Sequence, residues 1–373
     1  MLNLPSSRKL PIEHLAASFD NVTNSYKFYW FLSILEHIKI SPNPVIPIKS
    51  LLANMVGNVW FPTSYFHLSF GKQDRLSKIV TKIRETTNLT SDARKVDVVN
   101  EIVAQLQTNS TLANEILSLG RFVPFRFLRP FFNQELRNKP DGQIDKLVVQ
   151  LAEDSFFDEK YLCLYRFTNF PEESIEIQPN WFEYLQEHAY ILTGFCLWHL
   201  LTYLQKNNPN VPNIANKLFE PMRRDLRQAR IFWLLAFEHL GTINCIYSGK
   251  TMYKDDFSLD HFLPWRFVAH DLLWNIVPTP KNINSAKNDN LPDLDKYFDR
   301  FVQLQYQAFG VALDLRKVKL VEDYTLLFRT QDFSDSLILP LEHFRQTLAD
   351  TIAPQVQIAK NMGFVGDWSY EVL

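Results

Sequence analysis

The sequence predicts a mainly α-helical fold of the α+β class with one small strand–loop–strand–helix unit embedded in its second half. Two observations lead there. Stretches free of Gly and Pro, with apolar residues at helical spacing, recur along most of the 373 residues. Strand-like runs are few and short, and two of them, inside the segment from Cys245 to Pro292, directly precede a Thr-Pro helix start. Composition supports a folded chain: 46% hydrophobic residues, with 30 Phe, 14 Tyr and 8 Trp, supply enough apolar surface for a substantial core.

Taken in order, the first helix is YKFYWFLSILEHI, capped by Asn24 or Ser25 and followed by an extended Pro-rich connector, SPNPVIPI. Its aromatic run reads as core. From Ala93 to Gln107, helical spacing puts Val96, Val99, Ile102, Val103 and Leu106 together. RFVPFRFLRPFF, Arg121 to Phe132, is expected to be extended or broken, because Pro124 and Pro130 cannot donate a backbone hydrogen bond. The alternation in SIEIQP gives a short strand, and Trp181 to Gln205 reads as one long helix. Within it, the apolar run from Tyr190 to Leu204 has 15 residues, short of the roughly 20 a bilayer requires, so a buried helix and no membrane association are expected.

KNNPNVPNI is the clearest linker, and Lys217 to His239 should form a helix that starts exposed and ends buried. FSLDHFL and WNIVPT are the two strands of the embedded unit. Thr279 caps the next helix, Pro280 takes its first position, and the helix runs from Lys281 towards Lys287. Helical patterns return from Leu294 to Ala312 and from Leu339 to Ala349. The expected division is an α-rich module over 1–205 for substrate or partner recognition, the embedded unit with its lead-in helix over 206–295, and a helical segment over 296–373 packing upon it. A block of about 50 residues without metal or disulfide staples is too small to hold a core of its own, so the flanking segments should support it.

A net charge of -2 argues against a diffuse polyelectrolyte-type binder of nucleic acid, so phosphate contacts must come from local basic patches. The three cysteines, Cys163, Cys196 and Cys245, contain no C-x-x-C pair, which leaves a disulfide framework and a structural zinc knuckle unsupported. MLNLPSSRKLP lacks the apolar stretch of a signal peptide, and cytoplasmic residence is expected.

The chemistry-bearing stretch is CIYSGKTMYKDDFSLDHFLPWRFVAHDLLWNIVPTPKNINSAKNDNLP. Asn284 and Lys287, three apart, share a helix face. If the first strand packs beside that helix, Asp260, His261, Asn284 and Lys287 converge on one pocket. Phosphodiester hydrolysis requires a base for water, a hard cation and cationic support for phosphate. Histidine is the side chain whose unperturbed pKa lies near neutrality, and His261 therefore suits the base. Asp260 and Asn284 offer oxygens of the kind Mg²⁺ takes. Lys287 can meet a phosphate, and the Asn275 amide can brace the loop opposite and hold His261 in place.

At these residues the chain resembles the HNH, or ββα-metal, endonucleases, most closely the HNH domain of the CRISPR type II effector nucleases. The resemblance rests on Cys245, Tyr247, Ser248 and Gly249, then Asp260, His261 and Pro264, then Asn275, Asn284, Lys287, Asn290 and Pro292. It implies an embedded ββα-metal (HNH) nuclease unit with His261 as general base, Asp260 and Asn284 as ligands of Mg²⁺ or Mn²⁺, and Asn275 fixing a loop. Zinc-stapled relatives carry two C-x-x-C pairs, and only Cys245 is present here, so no structural zinc is expected. The resemblance further implies a nucleic-acid substrate, DNA before RNA, and a standalone bacterial restriction or defence setting. A homodimer or a partner protein of a defence system is among the partners it suggests. No RuvC-like companion or arginine-rich bridge accompanies the motif, so RNA guidance is not implied.

Other features leave alternatives open. Arg223, Arg227 and Arg230 fall at helical spacing and either track a phosphate backbone or are absorbed by Glu220 and Asp225. In RFVPFRFLRPFF, Arg121, Arg126 and Arg129 alternate with aromatics, as in single-strand binders or as in snorkelling packing. His270-Asp271 has no partner at the spacing of a metal site and reads as loop. Besides DNA cleavage, a non-cleaving nucleic-acid-binding scaffold and an RNA-directed nuclease both remain compatible with the motif.

Overall fold

Helices carry most of the chain. The computed structural model describes residues 3–20, 22–108, 110–158, 162–170, 172–221, 224–330 and 339–371. They divide into two units, 1–209 with 217–220, and 210–216 with 221–373.

The first unit contains α1 (Ile12–Ala17), α2 (Tyr26–Ile40), β1 (Val45–Pro47), α3 (Ile48–Trp60), α4 (Leu76–Thr86), α5 (Lys95–Leu106), α6 (Thr111–Leu119), α7 (Val123–Leu128), α8 (Asp141–Asp154), β2 (Tyr165–Thr168), β3 (Ser174–Ile177), α9 (Pro179–Glu187) and α10 (Ala189–Asn207). α2 is apolar nearly all round, with Phe28, Tyr29, Trp30, Phe31, Ile34 and Leu35 buried, as befits a helix packed by α3, α9 and α10. Gly57 brings α3 and α5 close together: a Cβ there would lie 2.7 Å from Val99 Cγ2. The three strands form one antiparallel sheet in the order β1-β3-β2.

Several expectations for this unit are corrected. Arg121 to Phe132 is helical: α7 leads into a 3-10 turn over Arg129–Phe132, and both prolines sit in a first turn, where the missing N–H is tolerated. The expected long helix after Trp181 is broken at His188 into α9 and α10. Ser25 does not cap α2 with its side chain; its N–H and hydroxyl both donate to Asp74 Oδ2, at 2.8 and 2.6 Å. On α5, Val98, Ile102 and Leu106 are buried while Val96 and Val103 are exposed, so the core-facing stripe is rotated from the expected one. α10 is buried on one side only, because Tyr190, Ile191 and Trp198 are exposed. Among the described residues, no helix is long and apolar enough to cross a membrane.

The second unit holds α11 (Arg227–Leu240), β4 (Ile243–Asn244), β5 (Thr251–Met252), β6 (Ser258–His261), α12 (Trp265–Val268), β7 (Ile276–Thr279), α13 (Lys281–Lys287), α14 (Leu294–Asp314), α15 (Glu322–Phe328) and α16 (Leu341–Asn361). α14 packs against α11 and α16, and one apolar cluster joins these helices to the strands through Trp233, Phe262, Phe301, Phe309, Tyr324 and Phe344. Phe262 and Phe301 stack with centroids 4.1 Å apart. Polar ties reinforce the packing, since Trp233 Nε1 and Gln305 Nε2 both donate to the Ile276 carbonyl, at 3.1 and 2.9 Å. The expected helix from Lys217 to His239 begins only at Arg227, after a 3-10 turn over Ile214–Lys217. Thr279 does not cap α13; Pro280 occupies that position and the Thr279 hydroxyl is buried without a hydrogen-bond partner.

Candidate active site

The site is built where β6 ends beside α13. β6 and β7 pair antiparallel, with Asp260 opposite Val277 and His261 opposite Ile276. Successive strand residues leave on opposite faces, and Asp260 and His261 accordingly find different partners. Pro264 follows the strand and starts the single-turn α12, and the chain returns through a loop to Asn275 and β7.

Asp260 is almost wholly buried and held from two sides. The Tyr247 hydroxyl donates to its Oδ2 at 2.7 Å, and Lys287 Nζ donates to its Oδ1 at 3.1 Å. Tyr247 reaches it from the β4–β5 hairpin, whose turn has Gly249 at φ +72, a left-handed backbone value that suits glycine. Burial first, then the Asp260 charge, pushes the Tyr247 phenol well above its ordinary range, so it stays a hydrogen-bond donor.

Lys287, expected to meet a phosphate, has a fully buried side chain. Its ammonium is engaged by Asp260 and by the His261 carbonyl at 2.7 Å, so it secures β6 from within. Asn275 is also fully buried, and its amide clamps Leu263, accepting from N at 2.8 Å and donating to O at 3.0 Å. The backbone just past His261 is thereby fixed.

His261 has a partner that the sequence reading missed. Its Nε2 lies 2.8 Å from Asp271 Oδ1. The loop bearing Asp271 is pinned at Leu273, whose N–H donates to Asp323 Oδ2 at 2.9 Å and whose carbonyl accepts from Gln305 Nε2 at 3.2 Å. A lone acid in the apolar run FVAHDLLWNIV is the available signal, and reading His270-Asp271 as loop passes over it.

Asp260, His261 and Asn284 line one cleft of about 240 Å³, together with Arg224, Trp265 and Asp289. Asn284 Nδ2 donates to Ser258 Oγ and the Leu259 carbonyl, at 3.1 and 3.0 Å, which leaves its Oδ1 as the unused group at the cleft. The donor set fits a hard divalent cation. It offers one amide oxygen and a carboxylate whose oxygens each keep a second lone pair. No group of three His, Cys, Asp or Glu among the described residues forms a cage. Two protein oxygens suit an ion that keeps water and takes a substrate oxygen.

A second groove, of about 720 Å³, shares Arg224 and Leu259 with the cleft and is lined also by Asp225, Arg227 and Arg230. The expected arginine stripe is only partly realised. Arg223 lies outside the described residues. Arg227 is tied to Asp225 at 2.6 Å, while Arg230 donates to the Phe257 carbonyl at 2.9 Å and lies 4.0 Å over the Phe257 ring. Arg224, which the sequence reading did not single out, is the arginine that reaches the cleft itself, and it lies 5.3 Å over the Trp265 ring.

Comparison with known families agrees with this geometry: residues 245–293 match the family described as HNH endonuclease, so the second unit contains an HNH endonuclease domain. No curated protein and no solved structure matches the chain.

Proposed function

We propose that this chain is a divalent-cation-dependent endonuclease that hydrolyses phosphodiester bonds in DNA, with His261 as general base. The carrying observation is the meeting of Asp260, His261 and Asn284 in one cleft that opens beside an arginine-lined groove. With the Asp271 carboxylate accepting from Nε2–H, the bare nitrogen of the neutral His261 ring is Nδ1. Nδ1 takes the proton of the attacking water, and Asp271 steadies the charge the ring then gains. Asp260 and Asn284 would hold Mg²⁺ or Mn²⁺, which supplies charge stabilisation for the phosphate and the departing oxygen. Tyr247 and Lys287 keep Asp260 in place, and Asn275 keeps the following backbone from drifting. Arg224 and Arg230 border the path of the strand.

The DNA preference, the setting in bacterial defence or restriction, the cytoplasmic location and the likeness to CRISPR type II HNH domains rest on the motif resemblance. In this reading the helical module before the second unit recognises substrate or partner, and cutting both strands takes two engagements or a dimer. The test is to incubate the full chain, and its His261→Ala variant, with plasmid, single-stranded DNA and RNA in Mg²⁺ or chelator. Mg²⁺-dependent cleavage of DNA, at least about 10²-fold slower in the variant, is expected. Binding without cleavage would instead establish a scaffold, and cleavage confined to RNA would move the substrate class.

A further inference from the structure

The first unit contains a cavity that the reaction does not use. It measures about 340 Å³ and is enclosed by the start of α2, the residues before α4, the end of α6 and α7. Four cationic side chains line it, Lys27, Arg75, Arg126 and Arg129, and no carboxylate does. The nearby acids stand outside the lining. Asp141 and Asp145 on α8 lie 3.2 and 3.5 Å from Arg129, and Asp141 only comes within 3.9 Å of Arg126. These acids leave the guanidiniums incompletely satisfied, because Nε of both Arg126 and Arg129 is buried without an acceptor. Tyr26 adds a neutral donor: its hydroxyl oxygen accepts from Arg75 N–H at 2.7 Å, leaving its own hydrogen for a ligand. Burial, and then Asp74, push this phenol up to about 12, so it remains protonated. Lys27 is pushed down to about 8 by burial and by Arg129 and Arg126 beside it, as expected where positive charge is crowded together.

A wall made of donors and cations selects an anion. The remainder of the lining selects further, for Leu119, Val123 and Phe122 supply apolar surface. Phe122 is 40% exposed, and the Arg126 and Arg121 guanidiniums lie 4.5 and 5.3 Å from its ring centroid. A partly exposed aromatic beside arginines can stack a planar ring on its open surface. The volume lies at the lower end of small-molecule pockets, which run from roughly 300 to 1,000 Å³.

We infer that this cavity is a binding site for a nucleoside phosphate, with the phosphate among Lys27, Arg75, Arg126 and Arg129 and the base on Phe122. The site is independent of the nuclease reading. It also gives a use to the arginine-aromatic alternation of residues 121–132, as a pocket for one nucleotide and not a track for a strand.

The test is calorimetric titration of the full chain with the four nucleoside 5′-monophosphates, adenosine, inorganic phosphate and a single-stranded DNA 12-mer. At least one monophosphate is expected to bind saturably in the micromolar range, with adenosine and inorganic phosphate at least tenfold weaker. The Lys27→Gln, Arg126→Gln double variant should weaken that binding at least tenfold, and Arg126→Lys much less. Thermal melting of each variant establishes that it is folded, and Phe122→Ala, at an exposed position, provides a second readout by loosening the monophosphate but not inorganic phosphate. The inference is overturned by any of four results: no monophosphate binding below millimolar concentration, equal affinity for adenosine or for inorganic phosphate, binding of the 12-mer alone, or unchanged affinity in a folded double variant.

Discussion

The Asp271 carboxylate sits 2.8 Å from His261 Nε2, ten residues further along the chain, in the loop that leads from α12 to β7. In the proposed mechanism this contact would orient the imidazole and set which nitrogen faces the water, which would make Asp271 a positioning residue. Asp271→Ala is expected to lower kcat by about 10- to 10²-fold while leaving KM for the DNA near its parent value. Steady-state kinetics on a short duplex check this. A rise in KM with unchanged kcat would assign Asp271 to substrate binding instead.

For Asn284→Ala the expected change is in metal dependence. Removing one of two protein oxygens should raise the Mg²⁺ concentration for half-maximal cleavage by about tenfold or more, the scale on which groups supporting a metal act. Superimposable Mg²⁺ titrations of variant and parent would remove Asn284 from the ligand set.

Lys287→Met tests whether the buried ammonium serves the fold or the phosphate. Its loss leaves Asp260 buried with one donor fewer and strips the His261 carbonyl of its partner. Breaking a buried pair from one side costs about 3–5 kcal/mol, and the denaturant midpoint of the second unit should fall accordingly. A parent-like midpoint combined with weakened DNA binding would restore the phosphate role.

Stability of the first unit should depend on alkaline pH through Lys217. Burial pushes this side chain down to about 7 from the ordinary 10.5. Between those values the unfolded chain holds a proton that the folded chain has released, so stability rises with pH across that window and is lowest below it. Denaturation at pH 7 and pH 9 should differ by about 2 kcal/mol in the parent, with Lys27 adding in the same direction. Lys217→Met removes most of the Lys217 share. An unchanged pH difference in that variant would show that Lys217 is solvated in the folded chain.

The parts legible in the sequence are those set by short-range pattern. β6, β7 and α13 follow from strand formers, a Pro stop and a Pro just before the helix within one segment, although the cap falls on Pro280 and not on Thr279, and the meeting of Asp260, His261 and Asn284 follows from packing that strand beside that helix. Long-range choices were not legible. Lys287 shares a face with Asn284 as the spacing requires, yet only the tertiary environment decides that this face turns Lys287 inward. Asp271 depends on how a loop closes, which residue spacing does not encode. Pro124 and Pro130 look like breakers until the helix start is known, since the same residue is favourable in a first turn. On α5, two apolar stripes differ by a small rotation, and contacts with neighbouring helices decide between Val98 and Val96.

The residues after α16 return to the cleft's support. The Trp368 N–H donates to the Leu291 carbonyl and the Trp368 carbonyl accepts from the Asp293 N–H, both at 2.9 Å, Pro292 bridges to Trp368, and the Trp368 ring stands 5.3 Å from Tyr247, the residue that holds Asp260. A ribosome must therefore travel about a hundred codons beyond Asp260 before the brace behind Tyr247 can be assembled. At about 5–20 residues per second, that is an interval of roughly 5–20 s during which the growing chain carries Asp260 and His261 without the scaffold that aligns them. The hold on Asp260 through Tyr247 is thus completed only late in synthesis.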